Sequence, residues 1–151
     1  MLLSPSRINV FLFFKLPSAF WCGVRLRSVN RHHCVTTVKH NWFNKNPFNS
    51  LYFAVQAMAA ELSTGVLVMQ AIQESGQDIS MLVAASSSIF SKKATGRIFF
   101  TCDEGQKVFS AVQDAIKSGQ GQIIVLHSTG TNEKGEVVAE MKFNWTIKIK
   151  S

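Results

Sequence analysis

Residues 51–73 constrain the fold of this 151-residue chain more than any other segment. They contain no proline, no Lys or Arg, and one internal glycine, Gly65, which predicts a long helix. Ser50 precedes the helix as a candidate N-cap, and Gly76 follows it as a stop signal. Because apolar residues occupy nearly all sides of this helix, we expect it to be buried inside the domain.

The rest of the chain predicts one further helix and mostly antiparallel strands. A shorter amphipathic helix is expected over 104–118. Six segments are typical of strands, at 23–29, 34–39, 79–90, 96–102, 122–129 and 137–148. We expect the first two to form a hairpin, 92–95 to be the turn between the third and fourth, and 133–135 the turn between the last two. An antiparallel sheet curled around the apolar helix is the α+β arrangement that satisfies this pattern.

Composition bounds the number of domains and favours self-association. Hydrophobic residues make up 46% of the chain, charged residues only 17%, and twelve residues are Phe, so one core does not easily hide all the apolar surface. We expect residues 14–151 to form one domain, preceded by an N-terminal arm at 1–13. The apolar run at 8–14 is too short to span a bilayer.

The formal net charge of +7 suits a polyanionic partner but does not choose one. Basic residues are scattered along the chain and the apolar helix carries none, so we expect no nucleic-acid partner. The cysteines, Cys22, Cys34 and Cys102, are odd in number, far apart and without histidines at ligand spacing. We therefore expect no metal site and no other cofactor, and we expect free thiols in a reducing cytoplasm.

A resemblance to a known family enters through the loop and the start of the long helix. The stretch Asn46-Pro-Phe-Asn-Ser50-Leu-Tyr-Phe-Ala, followed by Met58-Ala-Ala-Glu61-Leu-Ser-Thr-Gly65, resembles hotdog-fold thioesterase-like proteins. It is most similar to the DUF4442 branch, which is related to PaaI-type acyl-CoA thioesterases. Residues 90–102 and 133–140 also resemble that family, so the likeness covers roughly residues 14–150. It implies a hotdog fold, a homodimer or homotetramer, and an acyl-CoA or related thioester as substrate.

The resemblance also implies roles for individual residues. Glu61 occupies the position of an acidic residue that acts as general base or nucleophile on a thioester, and Asn46 that of a loop residue that orients the water or the carbonyl. Tyr52, Phe53 and Ala54 stand where many PaaI-type enzymes have His-Gly-Gly. In those enzymes the backbone N–H groups there polarise the carbonyl. The bulkier side chains in this sequence narrow the path by which a thioester carbonyl would reach these N–H groups.

Other candidate substrate-binding residues are weaker, and each has an alternative interpretation. Ser63 and Thr64 follow Glu61 by one turn and would hold a water, or simply bond the backbone of the preceding turn. Lys92, Lys93 and Arg97 form the densest basic cluster near the expected cleft. Such a cluster would bind the phosphates of CoA, or be an ordinary solvated turn.

Glu61 itself has two interpretations, because burying a carboxylate lowers the stability of the fold unless the group is paired or has a function. The first is catalysis of acyl-CoA hydrolysis. The second is a hydrogen bond across a dimer interface or to a backbone N–H, without reaction, in a hotdog module that binds an acyl ligand or only assembles. A third use of the fold, as a dehydratase, would require a histidine in the helix region, where none is found.

Overall fold

The computed structural model describes residues 3–150. Within these residues, four helices and six strands follow one another: α1 (Pro5–Lys15), α2 (Pro17–Trp21), β1 (Arg25–Val29), β2 (Cys34–Lys39), α3 (Phe53–Ser75), β3 (Ile79–Phe90), β4 (Arg97–Cys102), α4 (Gly105–Ser118), β5 (Gln122–Thr131) and β6 (Val137–Ile149).

The strands form one antiparallel sheet in the order β1-β2-β4-β5-β6-β3. The sheet curls around α3, which contacts all six strands. The predicted hotdog fold, a long central helix wrapped by a curved antiparallel sheet, is therefore confirmed.

Alternation along the last strand explains how sheet and helix share one core. In β6 the residues Met141, Phe143, Trp145 and Ile147 are buried, whereas the residues between them face outward or lie at the rim. On α3 a nearly continuous series from Leu62 to Val68 is buried, in agreement with a helix that is apolar on nearly all sides. The buried side chains of β6 and α3 therefore belong to one shared core.

The expected N-cap at Ser50 was wrong. The helix begins at Phe53 with Tyr52 as the N-cap residue, and Tyr52 makes no side-chain capping bond. The chain remains extended through Leu51, whose N–H donates to the carbonyl of Ala94 and which forms a bridge with Lys45. Ser50 is instead hydrogen-bonded within the preceding loop. The bonds that Leu51 makes outside the helix thus move the start of the helix from the expected residue 51 to Phe53.

The expected strand pair with a turn at residues 92–95 was also wrong. β3 lies at the edge of the sheet and pairs with β6, while β4 pairs with β2 and β5. β5 and β6 lie between β3 and β4 in the sheet. The connection from β3 to β4 therefore passes the ends of these two strands instead of making a hairpin. Chain proximity favoured a local pair, but the final strand supplies a longer apolar face for β3 to match.

The N-terminal helix packs into the domain. Ile8 and Leu12 of α1 belong to the core, and the side-chain amide of Asn9 bonds both the N–H and the carbonyl of Leu26 in β1, at 2.8 and 3.1 Å. α1 runs through residue 15, so it crosses the expected boundary between an arm (1–13) and a domain (14–151). That division stays a prediction.

One described helix, α3, is long and apolar enough to cross a membrane by length and composition. Most of it is buried under the sheet, as in the core helix of a globular domain.

Candidate functional site

An apolar groove runs along the first two turns of α3. It encloses about 350 Å³ between α3, the junction of α1 with α2, and β6. We call it the Glu61 groove, and its lining residues are Leu16, Ser18, Ala19, Phe53, Ala54, Ala57, Met58, Glu61 and Phe143. Glu61 is the single ionisable residue among them. A hydrocarbon chain fits such a lining, and the carboxylate is placed to act on a group held there.

The carboxylate of Glu61 lies over Gly65, one turn further along α3. A Cβ atom at Gly65 would come within 3.4 Å of Glu61 Oε1 and within 3.2 Å of the Trp145 ring. No side chain or backbone group in residues 3–150 donates a hydrogen bond to this carboxylate within ordinary limits. Burial disfavours the charged form and raises the pKa of Glu61 to about 7. The group therefore exchanges a proton readily near neutral pH.

Two backbone donors at the start of α3 are free. The N–H groups of Val55 and Gln56 both donate to the carbonyl of Tyr52. Those of Phe53 and Ala54 have no acceptor in the described part of the chain, as expected for the first residues of a helix. Both residues line the Glu61 groove. The helix dipole adds partial positive charge at this point, so the start of α3 offers donors for a developing oxyanion.

The side chains at this helix start point largely outward. Tyr52 is 45% exposed and Phe53 is 56% exposed. Their rings pack edge to face with centroids 5.0 Å apart, and the Phe53 ring also contacts Phe90 of β3 at 6.3 Å. The bulk that replaces the two glycines of the PaaI-type motif therefore lies beside the groove entrance.

A second groove, of about 430 Å³, lies on the other side of Phe53. We call it the basic groove, and it is lined by Asn46, Phe48, Ser50, Leu51, Phe53, Gln56, Phe90, Ser91, Lys92, Lys93 and Ala94. Lys92 pairs with Glu136 at 2.7 Å, and Lys93 Nζ donates to the Phe48 carbonyl at 3.3 Å. Arg97 does not line this groove; it lies at the start of β4 and reaches the hydroxyl of Thr37.

Asn46 organises the loop before α3. Its Oδ1 accepts from the backbone N–H groups of Phe48 and Ser50, at 3.0 and 3.2 Å, and its Nδ2 donates to the Ser50 hydroxyl at 3.0 Å. Within one chain it lies in the basic groove and not in the Glu61 groove. Glu61, Phe53 and Ala54 thus line one groove, and Asn46, Lys92 and Lys93 line the other.

Ser63 and Thr64 are fully buried and lie outside both grooves. The Ser63 hydroxyl donates to the carbonyl of Ala60 at 2.7 Å, and the Thr64 hydroxyl donates to the carbonyl of Glu61 at 2.8 Å. These are the bonds to the preceding turn that the alternative interpretation described.

Gln56 was missed at the level of sequence. It is 4% exposed and lines the basic groove; its Nε2 donates to the carbonyl of Leu51, while its Oε1 has no partner in the described structure. A lone amide one turn into an otherwise apolar helix start was the available signal. An unpaired buried acceptor beside a groove can receive a hydrogen bond from a ligand.

Across residues 3–150 no three His, Cys, Asp or Glu side chains cluster closely enough to hold a metal ion. The Cys34 and Cys102 thiols are buried opposite each other on β2 and β4. Burial raises the pKa of both, that of Cys102 to about 11, so neither is an activated nucleophile.

Comparison with known proteins gives a family and a set of similar folds. The model of a domain of unknown function, DUF4442, matches residues 6–147. No protein in the curated set matches the chain. Among solved structures, a probable thioesterase of unknown function from Pseudomonas aeruginosa superposes with a TM-score of 0.82 at 19% identity, over 99% of both chains.

Two further structures share the fold at lower identity. A thioesterase from Haemophilus influenzae has a TM-score of 0.73 at 10% identity, over 99% of this chain and 93% of that one. A variant of a thioesterase from Staphylococcus aureus has a TM-score of 0.62 at 15% identity, over 83% of this chain and 93% of that one. At these identities the likeness establishes the fold alone.

Proposed function

Because the chain belongs to the DUF4442 family and shares its fold with thioesterases, we propose that it hydrolyses an acyl-CoA or a similar thioester at Glu61. The observation that carries the proposal is the Glu61 groove itself. It holds one largely buried carboxylate with no hydrogen-bond partner in the described structure, in an apolar lining that also includes Phe53 and Ala54. A base and an oxyanion site are the two groups that thioester hydrolysis requires.

In the proposed reaction, the Glu61 carboxylate takes a proton from a water molecule as the water oxygen bonds to the thioester carbonyl carbon. The negative charge that develops on the carbonyl oxygen is stabilised by free backbone N–H groups at the start of α3. About 12 Å of helix separate Phe53 from Glu61 within one chain, so a second copy would supply these groups. Collapse of this intermediate breaks the carbon–sulfur bond, and the thiolate receives the proton from Glu61. A pKa of about 7 suits both proton transfers. Direct attack by the carboxylate on the carbonyl is the other route open to Glu61.

The two grooves divide the substrate into an apolar and a polar part. We assign the acyl chain to the Glu61 groove, whose other lining residues are mostly apolar, and the CoA portion to the basic groove with Lys92 and Lys93. Phe53 lines both and lies between the two parts. The unpaired Oε1 of Gln56 is available to an amide N–H of the pantetheine arm.

Two residues that were replaced by alanine in a protein of similar fold have the same sequence spacing as Asn46 and Glu61, which supports a role for Asn46 in the proposed reaction. Two solved variants of the Staphylococcus aureus protein replace a glutamine and a glutamate by alanine, at positions fifteen residues apart. Asn46 precedes Glu61 by the same interval and carries the same amide group as glutamine. In this chain Asn46 holds the loop that forms one wall of the basic groove.

We propose that the protein works as a homodimer, joined along β3. This twelve-residue strand pairs on one side only, and an open edge of that length is rarely left bare. Beyond the bulge at residues 83–85, Ser86, Ser88 and Phe90 continue the concave face of the sheet, yet they are exposed in one chain. A second copy paired edge to edge would cover this region and close the entrance near Phe53. A homotetramer would add a further contact between dimers.

A cytoplasmic location fits this proposal. Cys34 and Cys102 lie directly opposite each other as free thiols, which a reducing compartment maintains.

The experiment that tests the function combines turnover and binding. Wild-type protein is assayed for release of free thiol from acyl-CoAs of short, medium and long chain, and for binding of the matching thioether analogues, which cannot be hydrolysed. We expect turnover of at least one chain length. Binding of the analogues without turnover of any thioester would instead favour a hotdog module that only holds its ligand, since the bulky Phe53 lines both grooves.

A further inference from the structure

The exposed aromatic residues near the N-terminus form one surface, which we call the N-terminal aromatic surface. It consists of Val10, Phe11 and Phe14 of α1, Trp21 of α2, and Trp42 and Phe43 of the loop after β2. Phe14, Trp21 and Trp42 are 70%, 64% and 80% exposed. Aromatic and aliphatic groups of this size are seldom displayed together without a partner.

Direct contacts hold the parts of this surface together. The Phe13 ring packs on Phe14, Phe20 and Trp21, with centroids 4.9, 5.1 and 6.5 Å apart. The side chain of Asn44 donates to the carbonyl of Cys22 at 2.9 Å, which ties the loop that carries Trp42 and Phe43 to the residue after Trp21. The surface is therefore a fixed part of the domain.

The charge of the protein is concentrated in the same part of the chain. Residues 1–60 contain seven Lys or Arg and no Asp or Glu, whereas residues 61–151 contain nine of each sign. The whole net charge of +7 thus belongs to the segment that carries the aromatic surface. Arg7, Lys15, Lys39 and Lys45 are exposed, and within the described structure none of them forms a salt bridge.

Basic and apolar residues are interleaved on α1 itself. Arg7, Val10, Phe11 and Phe14 follow the i, i+3, i+4, i+7 spacing and all are exposed, while Ile8 and Leu12 on the other side enter the core. Trp and Phe with neighbouring Lys and Arg are the combination that binds the interface of a bilayer containing anionic lipid. A second copy is a poor occupant, because a symmetric contact would bring two unpaired positive surfaces together.

We propose that the N-terminal aromatic surface is a peripheral docking site for an anionic lipid bilayer. Val10, Phe11, Phe14, Trp21, Trp42 and Phe43 enter the interfacial region, and Arg7, Lys15, Lys39 and Lys45 meet the lipid headgroups. Leu16, Ser18 and Ala19 at the α1–α2 junction also line the Glu61 groove, so docking would hold that groove close to the lipid. The proposal does not depend on catalysis at Glu61.

The test is co-sedimentation of the full-length protein with vesicles of phosphatidylcholine, with and without about 30% phosphatidylserine, at low and high salt. We expect binding to the anionic vesicles that weakens with salt. The variant Lys15→Glu/Lys45→Glu should bind at least about fivefold more weakly, since one basic residue at an anionic surface contributes roughly that factor. Lys142→Glu/Lys148→Glu on β6 makes the same change in net charge and should bind like wild type.

A second pair of variants tests the aromatic residues. Phe14→Ser/Trp42→Ser should lose vesicle binding, whereas Ile123→Ser should not, although Ile123 is 71% exposed on β5. Brominated lipid should quench the emission of Trp21 and Trp42 and spare that of Trp145, which is 4% exposed. The Trp21→Phe/Trp42→Phe variant isolates the Trp145 signal.

Three results would overturn the proposal. The first is no sedimentation with anionic vesicles at low salt, and the second is equal loss of binding in the surface variants and their controls. The third is self-association of the wild type that Phe14→Ser/Trp42→Ser abolishes without any effect of lipid, which would make this face a contact between copies.

Discussion

The indole N–H of Trp145 donates a hydrogen bond of 2.9 Å to the hydroxyl oxygen of Thr64. That hydroxyl in turn donates to the carbonyl of Glu61 at 2.8 Å. The last strand of the sheet is thereby tied, through two buried bonds, to the turn of α3 that carries the proposed base. The backbone of Glu61 is thus linked to a residue more than eighty positions away in sequence.

Trp145→Ala should destabilise the protein by roughly 3–5 kcal/mol, the usual loss for a deleted buried aromatic ring. Trp145 is 4% exposed, and its ring also forms the wall above Gly65. Denaturant unfolding of both proteins measures the difference, and Lys148→Ala on the same strand is a solvent-facing control. A difference under about 1 kcal/mol would contradict the packing described for this ring.

Glu61→Gln should stabilise the protein, and more so at alkaline pH. The pKa of Glu61 is about 7 in the folded state against 4.5 for the free side chain. Between these values the native state retains a proton that the unfolded state has released, so the free energy of unfolding of wild type falls as pH rises. Glutamine does not titrate. The free energy of unfolding of the variant should therefore exceed that of wild type by an amount that grows from pH 5 to pH 8, on the order of 1–3 kcal/mol. We call this difference the variant's advantage.

Unfolding curves of both proteins at several pH values measure this advantage. The pH dependence belongs to Glu61 only if it appears in the difference between wild type and variant. An offset that stays constant from pH 5 to pH 8 would mean that the carboxyl group has an ordinary pKa in the fold.

Gly105→Ala should destabilise the start of α4. A Cβ atom at Gly105 would overlap the backbone oxygen of Arg31, and a backbone atom cannot move aside as the end of a flexible side chain can. We expect a loss of about 1–3 kcal/mol or more. Gly121→Ala is the matched control, since its nearest neighbour would be 3.5 Å away. Equal melting temperatures for the two variants would contradict the close approach at Gly105.

The β3 edge should join two copies of the chain. Sedimentation at micromolar concentration is expected to give at least a dimer for wild type. Ser88→Lys, at a β3 position that faces the concave side and is exposed in one chain, should shift the protein toward monomer. Ile123→Lys, at a β5 position with 71% exposure, should not. A wild type that sediments as a monomer, or a dimer unaffected by Ser88→Lys, would rule out this interface.

The fold followed from the sequence where patterns were long and local. The apolar helix, the alternation of β6 and the β1–β2 hairpin were recognisable because each is encoded within one segment. The partner of β3 was not, because pairing across the sheet depends on which strand supplies a matching face, and β6 follows β3 by nearly fifty residues. The start of α3 shifted from residue 51 to residue 53 for the same reason, since Leu51 bonds to Ala94.

The candidate site could be predicted from the sequence only in part. Glu61 was evident as a carboxylate in an apolar helix, and Phe53 and Ala54 through the resemblance to PaaI-type enzymes. The separation of Asn46 from Glu61 into two grooves, the unpaired Oε1 of Gln56, and the position of Arg97 outside the basic groove depend on tertiary geometry. No local pattern in the sequence carries that information.

The turnover of Glu61→Gln tests the central claim most directly. Glutamine preserves size but cannot take a proton from water, so kcat for the best acyl-CoA substrate should fall about 10²-fold or more while the oligomeric state is retained. Glu140→Gln, an exposed carboxylate on β6, is the control and should turn over like wild type. Equal kcat for wild type and Glu61→Gln would contradict the account and leave Glu61 with a structural role.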